Sequence, residues 1–169
     1  MTCMLCDVIK KGDNTIFQNE KIAVLLHPEP AVKGHVLICP IEHQTIIEQI
    51  PDFVISQMFT QANKICTRQF EALQAEGTNV LVQNGIPAGQ TYGHFGINII
   101  PRTKEDGLNL VWQPKQMPED AMNQIHEALK KAFEDIGNFE KEKPKPIEIK
   151  KEEVKPEEDY LLKSLKRLP

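Results

Sequence analysis

Short apolar runs recur along the first hundred residues of the chain. Residues 21–27 and 34–40 are the clearest, each bounded by proline or glycine, and residues 15–18 form a weaker run just before them. Two further runs cover residues 79–83 and 92–100. Runs of this length, rich in aliphatic and β-branched side chains, are typical of strands. The pattern therefore predicts five strands.

The spacing of the apolar residues changes between Asp52 and about Ala75. Apolar side chains recur here every three to four residues, as in an amphipathic helix packed on a sheet: Phe53, Ile55, Phe59, Ala62, Ile65, Phe70 and Leu73. Pro51 stands at the start of this helix and Gly77 after its end. A second helix is predicted over residues 118–136, because an acidic first turn opens the segment and a glycine follows it.

The composition breaks after this second helix and divides the chain into three parts. Residues 1–138 are predicted to form one globular domain, whereas residues 139–159 consist mostly of Lys, Glu and Pro and read as an extended charged linker. Residues 160–169 recover apolar spacing and predict a short amphipathic helix. The segment Tyr160 to Leu168 has two interpretations: it docks on its own domain or a dimer mate, or it inserts into a groove of a protein partner.

Charge and composition exclude some classes of function. The net charge is −4 and the pI about 5.8, so no basic patch is available to attract nucleic acid. No apolar run approaches the length of a membrane span, and no signal-peptide pattern opens the sequence. The four cysteines have no pairing pattern of a secreted protein, which indicates a reducing cytoplasmic environment. In that environment Cys3-x-x-Cys6 reads as metal or redox chemistry.

The run at residues 92–100 carries the candidate chemistry. Side chains alternate between the two faces of a strand, so Phe95 and its alternate neighbours are expected to face the core. The residues between them, His94, Gly96 and Asn98, are expected on the opposite face, beside the Gly- and Pro-rich turn that precedes the run. A glycine in mid-strand weakens the strand, and so indicates close backbone approach or a side chain that has been dispensed with.

Three segments together resemble the histidine-triad (HIT) family. Residues 84–102 read NGIPAGQTYGHFGINIIPR and resemble the family's last strand, His-φ-His-φ-His-φ-φ, with its Pro-Arg end. The opening Cys3-x-x-Cys6 and the segment GHVLICPIEH at residues 34–43 resemble two further family segments. The resemblance covers residues 3–102 and implies an α+β fold: a five-stranded antiparallel sheet with a long helix, in a protein that is usually a homodimer.

The resemblance also implies an activity that this chain is expected to lack. In active members the middle histidine of the triad attacks the α-phosphate of a nucleotide, and a covalent nucleotidyl-histidine forms. That position is Gly96 here, the third histidine is Asn98, and the family's ribose-binding aspartate is His27. No catalytic residue is therefore expected. The positions left for a nucleotide ligand are His27, Asn84, Gln90, Thr91 and Asn98, of which Gln90 and Thr91 match family phosphate contacts.

By the same resemblance, a zinc site is retained. Zinc-bearing relatives ligate the metal at positions that are Cys3, Cys6, His43 and His94 in this sequence. A Cys2His2 set closes the tetrahedral coordination of Zn²⁺, so the ion is expected to be structural. The alternative is two reduced thiols near a loose terminus, with His94 a surface residue. Cys39 and Cys66 are expected in the core, and His35 and His126 in structural roles.

Three functions remain open at this stage. The leading hypothesis is a zinc-stabilised HIT-family protein that binds a nucleotide or a partner without catalysis. The second is an active nucleotide hydrolase or nucleotidyl transferase that uses non-standard residues. The third is a scaffold that works through its C-terminal helix.

Overall fold

The computed structural model describes residues 3–133, which contain three α-helices and five strands that form one sheet. In chain order the elements are α1 (Met4–Lys11), β1 (Thr15–Gln18), β2 (Ile22–Leu26), β3 (Val36–Pro40), α2 (Asp52–Leu73), β4 (Gly77–Val82), β5 (Ile97–Arg102) and α3 (Glu119–Ala132). The predicted α+β fold with a five-stranded antiparallel sheet and a long helix is confirmed. The predicted linker at 139–159 and the helix at 160–169 lie outside the described residues.

The strand order is β1-β2-β3-β5-β4, and every neighbouring pair is antiparallel. β2 and β3 pair along their whole length, from Ile22 opposite Pro40 to Leu26 opposite Val36. β5 lies between β3 and β4, with Leu37 opposite Asn98. This register places the beginning of β5 beside the middle of β3, where the candidate residues meet.

Helix α2 covers one face of the sheet and makes the larger core with it. Met58 and Ala62 of the helix pack against apolar side chains of four strands, in a cluster that also holds Phe95, Ile97 and Ile99. Phe95, Ile97 and Ile99 therefore face the core, as the predicted alternation requires. Burying each of these large side chains contributes about 1.5–3 kcal/mol.

The other face of the sheet is covered by the short helix α1. Leu5 and Ile9 of α1 are buried against Ala23, Leu25, Leu37 and Cys39 of β2 and β3. The two central strands are thus covered on both faces, which explains why their sequences read as continuous apolar runs rather than as alternating ones. Helix α1 was not expected from the apolar pattern.

Two predicted boundaries differ from the structure. Helix α2 ends at Leu73, because Gln74 takes the left-handed conformation with φ 56° and caps the helix; Gly77 instead begins β4. Residues 92–96 precede β5 and are not paired as a strand, although their side chains keep the predicted alternation. Within this segment the main-chain N–H of Phe95 donates to the carbonyl oxygen of Gln44, in the loop after β3, at 2.7 Å.

Helix α3 begins after Pro118 with the acidic turn that the sequence predicted. Its apolar side chains Met122, Ile125 and Leu129 stay about half exposed, at 53%, 47% and 49%. Among the described residues, no helix combines the length and the hydropathy needed to cross a bilayer.

Candidate functional site

The four predicted metal ligands meet where α1 approaches the end of the sheet. Cys3 caps the N-terminus of α1 and Cys6 lies one turn further, so that both thiols project from the same end of the helix. His43 belongs to the loop after β3, and His94 precedes β5. One ligand atom from each of the four residues lies within 4.8 Å of the other three.

The geometry of this cluster suits a tetrahedral zinc ion. Nδ1 of His94 is 3.6 Å from Sγ of Cys3 and 3.4 Å from Sγ of Cys6, and Nδ1 of His43 is 3.4 Å from Sγ of Cys6. Ordinary Zn–S and Zn–N bond lengths give a tetrahedron edge of about 3.6 Å between sulfur and nitrogen. The donor set and its spacing therefore both fit Zn²⁺.

His94 is held by a further hydrogen bond that leaves the correct nitrogen free. Its Nε2 lies 3.0 Å from the carbonyl oxygen of Pro40, which can only accept, so Nε2 donates its proton. The Nδ1 lone pair then faces the two thiols, the arrangement found around metal-bound histidines. Burial lowers the pKa of His94 and so favours the neutral ring that a metal requires.

The thiols are in an environment that needs a cation. Burial and the neighbouring Cys3 thiol raise the pKa of Cys6, and burial also raises that of Cys39, which lies close behind the cluster. Without a cation the Cys6 thiol therefore stays protonated. An ion bound to all four side chains would stabilise both thiolates and tie α1 to the loop after β3 and to the residue before β5.

A narrow cavity of about 30 Å³ lies beside this cluster. Its walls are formed by the side-chain positions that alternation places opposite the core, together with α1 and the Gly-rich turn: Leu5, His27, Leu37, Gln83, Gln90, Thr91, Tyr92, His94, Gly96 and Asn98. The cavity has little more than the volume of one water molecule. His27, Gln90, Thr91 and Asn98 are thus brought together, whereas Asn84 is not part of the lining.

Gly96 faces the side chain of Leu37 across the cavity. A Cβ atom built on Gly96 would lie 2.7 Å from Cδ1 and 3.3 Å from Cγ of Leu37, and 3.6 Å from Sγ of Cys39. Contacts below 3.0 Å are overlaps, so any side chain at position 96 requires Leu37 to move. Leu37 therefore occupies the space that a larger residue at this position would use.

The ring of His27, which lines the cavity, is stacked on the ring of His35. The rings of His27 and His35 are 4.2 Å apart with an angle of 11° between their planes. Nδ1 of His35 accepts the main-chain N–H of Ala31, so its Nε2 carries the proton and donates it to Oδ1 of Asn98 at 3.1 Å. Burial and the neighbouring His27 ring lower the pKa of His35 to about 4.

Gln90 and Asn84 use their side chains to hold the turn that contains them. Gln90 accepts the N–H of Gly85 at 2.7 Å and donates to the carbonyl oxygens of Thr45 and Tyr92. Asn84 accepts the N–H of Ile47 and donates to the carboxylate of Glu48. A ligand would have to compete with these bonds. The hydroxyl of Thr91, by contrast, has no hydrogen-bond partner within residues 3–133.

Tyr92, one of the residues that line the cavity, contacts Glu29. The Tyr92 hydroxyl donates to Oε2 of Glu29 at 2.6 Å, and its ring lies 5.8 Å from that of His27. Burial and the Glu29 carboxylate raise the pKa of Tyr92 to about 12, so the hydroxyl keeps its proton at neutral pH. This contact joins the turn after β2 to the Gly-rich turn.

Sequence reasoning missed four residues that shape the cavity: Leu5, Leu37, Gln83 and Tyr92. Alternation along β3 from His35 would have placed Leu37 on the cavity side, since the two residues are separated by one position. Leu5 lies between the two predicted cysteine ligands and so belongs to the same turn of chain. Nothing in the sequence pairs Tyr92 with Glu29, which lie 63 residues apart.

Comparison with known proteins gives a consistent result. The HIT domain family matches residues 10–105. Adenosine 5′-monophosphoramidase HNT1 of Candida albicans is 29% identical over 145 residues, which cover 81% of this chain and 95% of that protein.

Two solved structures share the fold. A HIT family protein from Bacillus anthracis superposes with a TM-score of 0.70 at 26% identity, covering 78% of this chain and 96% of the other. A zinc-bound histidine triad family protein from Mycobacterium smegmatis has a TM-score of 0.60 at 24% identity, with coverage of 78% and 96%.

Proposed function

The chain belongs to the HIT domain family, and we propose that it acts there as a zinc-stabilised, non-catalytic binding protein for a nucleotide-like ligand. The observation that carries this proposal is the contact between Gly96 and Leu37. Position 96 corresponds, by resemblance, to the attacking histidine of active members, and it has no side chain with which to attack a phosphate. The space beside it is filled by Leu37.

The third position of the triad supports the same conclusion. Asn98 cannot act as an acid or base near neutral pH, and its oxygen already accepts the proton of His35. His94, the one triad histidine left, directs Nδ1 to the two cysteines and Nε2 to Pro40. Both of its nitrogens therefore have structural partners.

The zinc ion in this proposal has a structural role. Cys3, Cys6, His43 and His94 would fill all four positions of a tetrahedral site, which leaves none for a reactive water. The ion would crosslink α1 to the sheet, and the zinc-bound relative from Mycobacterium smegmatis makes this metal a reasonable choice. The proposal also includes that the chain forms a homodimer, because it resembles a family whose members usually do.

The ligand site in this proposal is the cavity lined by His27, Thr91 and Asn98. Thr91 and Asn98 would contact a phosphate, and a nucleotide would require the cavity to widen, with Tyr92 leaving Glu29, because the cavity offers only about 30 Å³. The name of the Candida albicans relative, a monophosphoramidase of an adenosine nucleotide, makes adenosine monophosphate the first ligand to test.

Two measurements test the proposal. The protein, loaded with one equivalent of Zn²⁺, is incubated with adenosine 5′-phosphoramidate and with diadenosine polyphosphates, and we expect no turnover. Turnover that disappears in the His94→Ala and Asn98→Ala variants would overturn the non-catalytic assignment. The second measurement is thermal denaturation in the presence of nucleoside mono-, di- and triphosphates. At least one of these ligands should raise the melting temperature of the protein. The absence of any shift would overturn the ligand assignment.

A double substitution tests the reason for the inactivity. Gly96→His alone should remain inactive, because Leu37 blocks the new ring and Asn98 and His27 differ from active members. Gly96→His combined with Leu37→Ala provides the space but still lacks those two partners, so we expect at most a slow release of product. Robust activity of the single variant would show that Leu37 is no obstacle.

The scaffold hypothesis concerns Tyr160 to Leu168, which lie outside the described residues. It stays a prediction from the sequence. Deletion of residues 140–169 should abolish recovery of a protein partner and leave the melting temperature of the domain unchanged if the hypothesis is right.

A further inference from the structure

The ring of His27 has a fixed position at the side of the cavity. Its main-chain N–H donates to the carbonyl oxygen of His35 at 2.9 Å, just beyond the last residue of β2. Its ring is stacked on that of His35 at 4.2 Å, and the ring of Tyr92 lies on another side at 5.8 Å. The direction of its two nitrogens is therefore set by the fold.

The tautomer of His27 follows from one hydrogen bond. The main-chain N–H of Glu29 can only donate, so Nδ1 of His27, 3.0 Å away, is the acceptor. Burial lowers the pKa of His27, so the ring is neutral at pH 7 and carries its single proton on Nε2. None of residues 3–133 accepts this proton. His27, one of the residues that line the cavity, thus carries an N–H donor that has no acceptor among the described residues.

The other polar groups around the cavity leave further donors available. The oxygen of Asn98 is taken by His35, and its amide N–H reaches the carbonyl of Leu81 only at 3.5 Å. The Thr91 hydroxyl and the Gln83 amide, which also line the cavity, can each donate or accept. The nearby carboxylate, that of Glu29, is exposed and already accepts the proton of Tyr92. A ligand that pairs with the N–H of His27 has to bring an acceptor oxygen.

We infer that His27 determines specificity, by selecting nucleosides that carry a phosphoryl group on the sugar over nucleotides with a free 2′,3′-diol. The inference rests on the proposed function, with one phosphoryl group at Thr91 and Asn98 and a second at His27. A diol presents two O–H donors and pairs best with a carboxylate, whereas a phosphoryl group presents only acceptors. A charged acceptor also makes a stronger hydrogen bond with N–H than a neutral hydroxyl does. The ligand class is a nucleoside bisphosphate.

Titration calorimetry of the full chain, loaded with one equivalent of Zn²⁺, tests this inference. The probes are adenosine 5′-monophosphate, adenosine 3′,5′-bisphosphate and inorganic pyrophosphate. We expect the Kd of the bisphosphate to be about tenfold or more below that of the monophosphate, the gain from one charge-assisted hydrogen bond. Pyrophosphate should bind more weakly than the bisphosphate, because it has no nucleoside.

Two variants of His27 distinguish the effect of its N–H donor on binding from the effect of its stacked ring. His27→Gln retains an N–H donor, so the ratio of the monophosphate Kd to the bisphosphate Kd should stay within about threefold of its value in the unmodified protein. His27→Phe retains the stacked ring but has no donor, so the ratio of the two Kd values should fall to about two or less. A preference that persists in the Phe variant would overturn the role of His27, as would its loss in a folded Gln variant.

The remaining outcomes distinguish this inference from the function on which it rests. Equal or tighter binding of the monophosphate by the unmodified protein would overturn the selection by His27 and leave the proposed nucleotide site intact. Pyrophosphate binding as tight as that of the bisphosphate would overturn the nucleoside assignment. Absence of binding by every probe would overturn the inference and the nucleotide-binding function together.

Discussion

His35 donates its Nε2 proton to the side-chain oxygen of Asn98 across 3.1 Å, and both residues are buried. The same ring accepts the N–H of Ala31, so its two nitrogens are both satisfied by the fold. Asn98 therefore has a structural partner as well as a place in the cavity wall.

Asn98→Ala should destabilise the protein by about 1–3 kcal/mol, because it leaves the buried Nε2–H of His35 without an acceptor. Urea denaturation followed by circular dichroism measures the change. Thr91→Ala is the matched control from the same cavity, and its effect should stay below about 0.5 kcal/mol, since its hydroxyl has no partner within residues 3–133. Equal stability of Asn98→Ala and the unmodified protein would contradict the structural role of this hydrogen bond.

The stacked histidines predict that stability falls on acidification. The pKa of His35 is lowered to about 4 from 6.5, so between these values the unfolded chain binds a proton that the folded chain does not. The contribution of His35 is complete above pH 6.5 and is lost as the pH falls towards 4. The loss is on the order of 2–3 kcal/mol, reduced by solvent screening.

This pH dependence is measured by urea denaturation of the unmodified protein and of His35→Gln at pH 7, 6 and 5. The two proteins differ only at position 35, so the difference between the two curves isolates His35. We expect a shallower decline in the Gln variant. Parallel curves would show that His35 does not contribute.

Gly96→Ala should destabilise the protein by about 1–3 kcal/mol, because the new Cβ overlaps Cδ1 of Leu37. Combining it with Leu37→Val should recover part of this loss, so the two substitutions are not additive. Gly93→Ala is the control, since a Cβ there meets no atom within 4 Å. Strict additivity in the double-mutant cycle would mean that Leu37 does not restrict position 96.

Removal of the metal should lower the melting temperature by at least about 5 °C, because a closed four-ligand site contributes several kcal/mol to folding. Chelation of the unmodified protein and the Cys6→Ser variant should give similar melting temperatures. Cys66→Ser serves as the control: Cys66 packs against the α2 core, so this variant should remain sensitive to the chelator. Metal analysis of the chelated protein confirms that removal is complete. If the melting curve is then unchanged, a structural metal is ruled out.

The sequence predicted the central strands well, because β2 and β3 are buried on both faces and leave long apolar runs. It did not predict α1, whose two buried residues, Leu5 and Ile9, are too few to show a helical period. The metal cluster was found because resemblance joined Cys3 and Cys6 to His43 and His94 across the chain. The small volume of the cavity was not predicted, because it depends on the side-chain placement of Leu37 and Tyr92, which no local pattern encodes.

Leu5 lies between Cys3 and Cys6 in the first turn of α1, and it also forms part of the cavity wall. An ion that holds the two cysteines would therefore set the position of one wall of the ligand site. If zinc favours the position of Leu5 that the ligand needs, zinc and the ligand raise each other's affinity, and thermodynamic reciprocity makes the two factors equal. The fraction of protein with both sites occupied would then depend cooperatively on the concentrations of zinc and of the ligand.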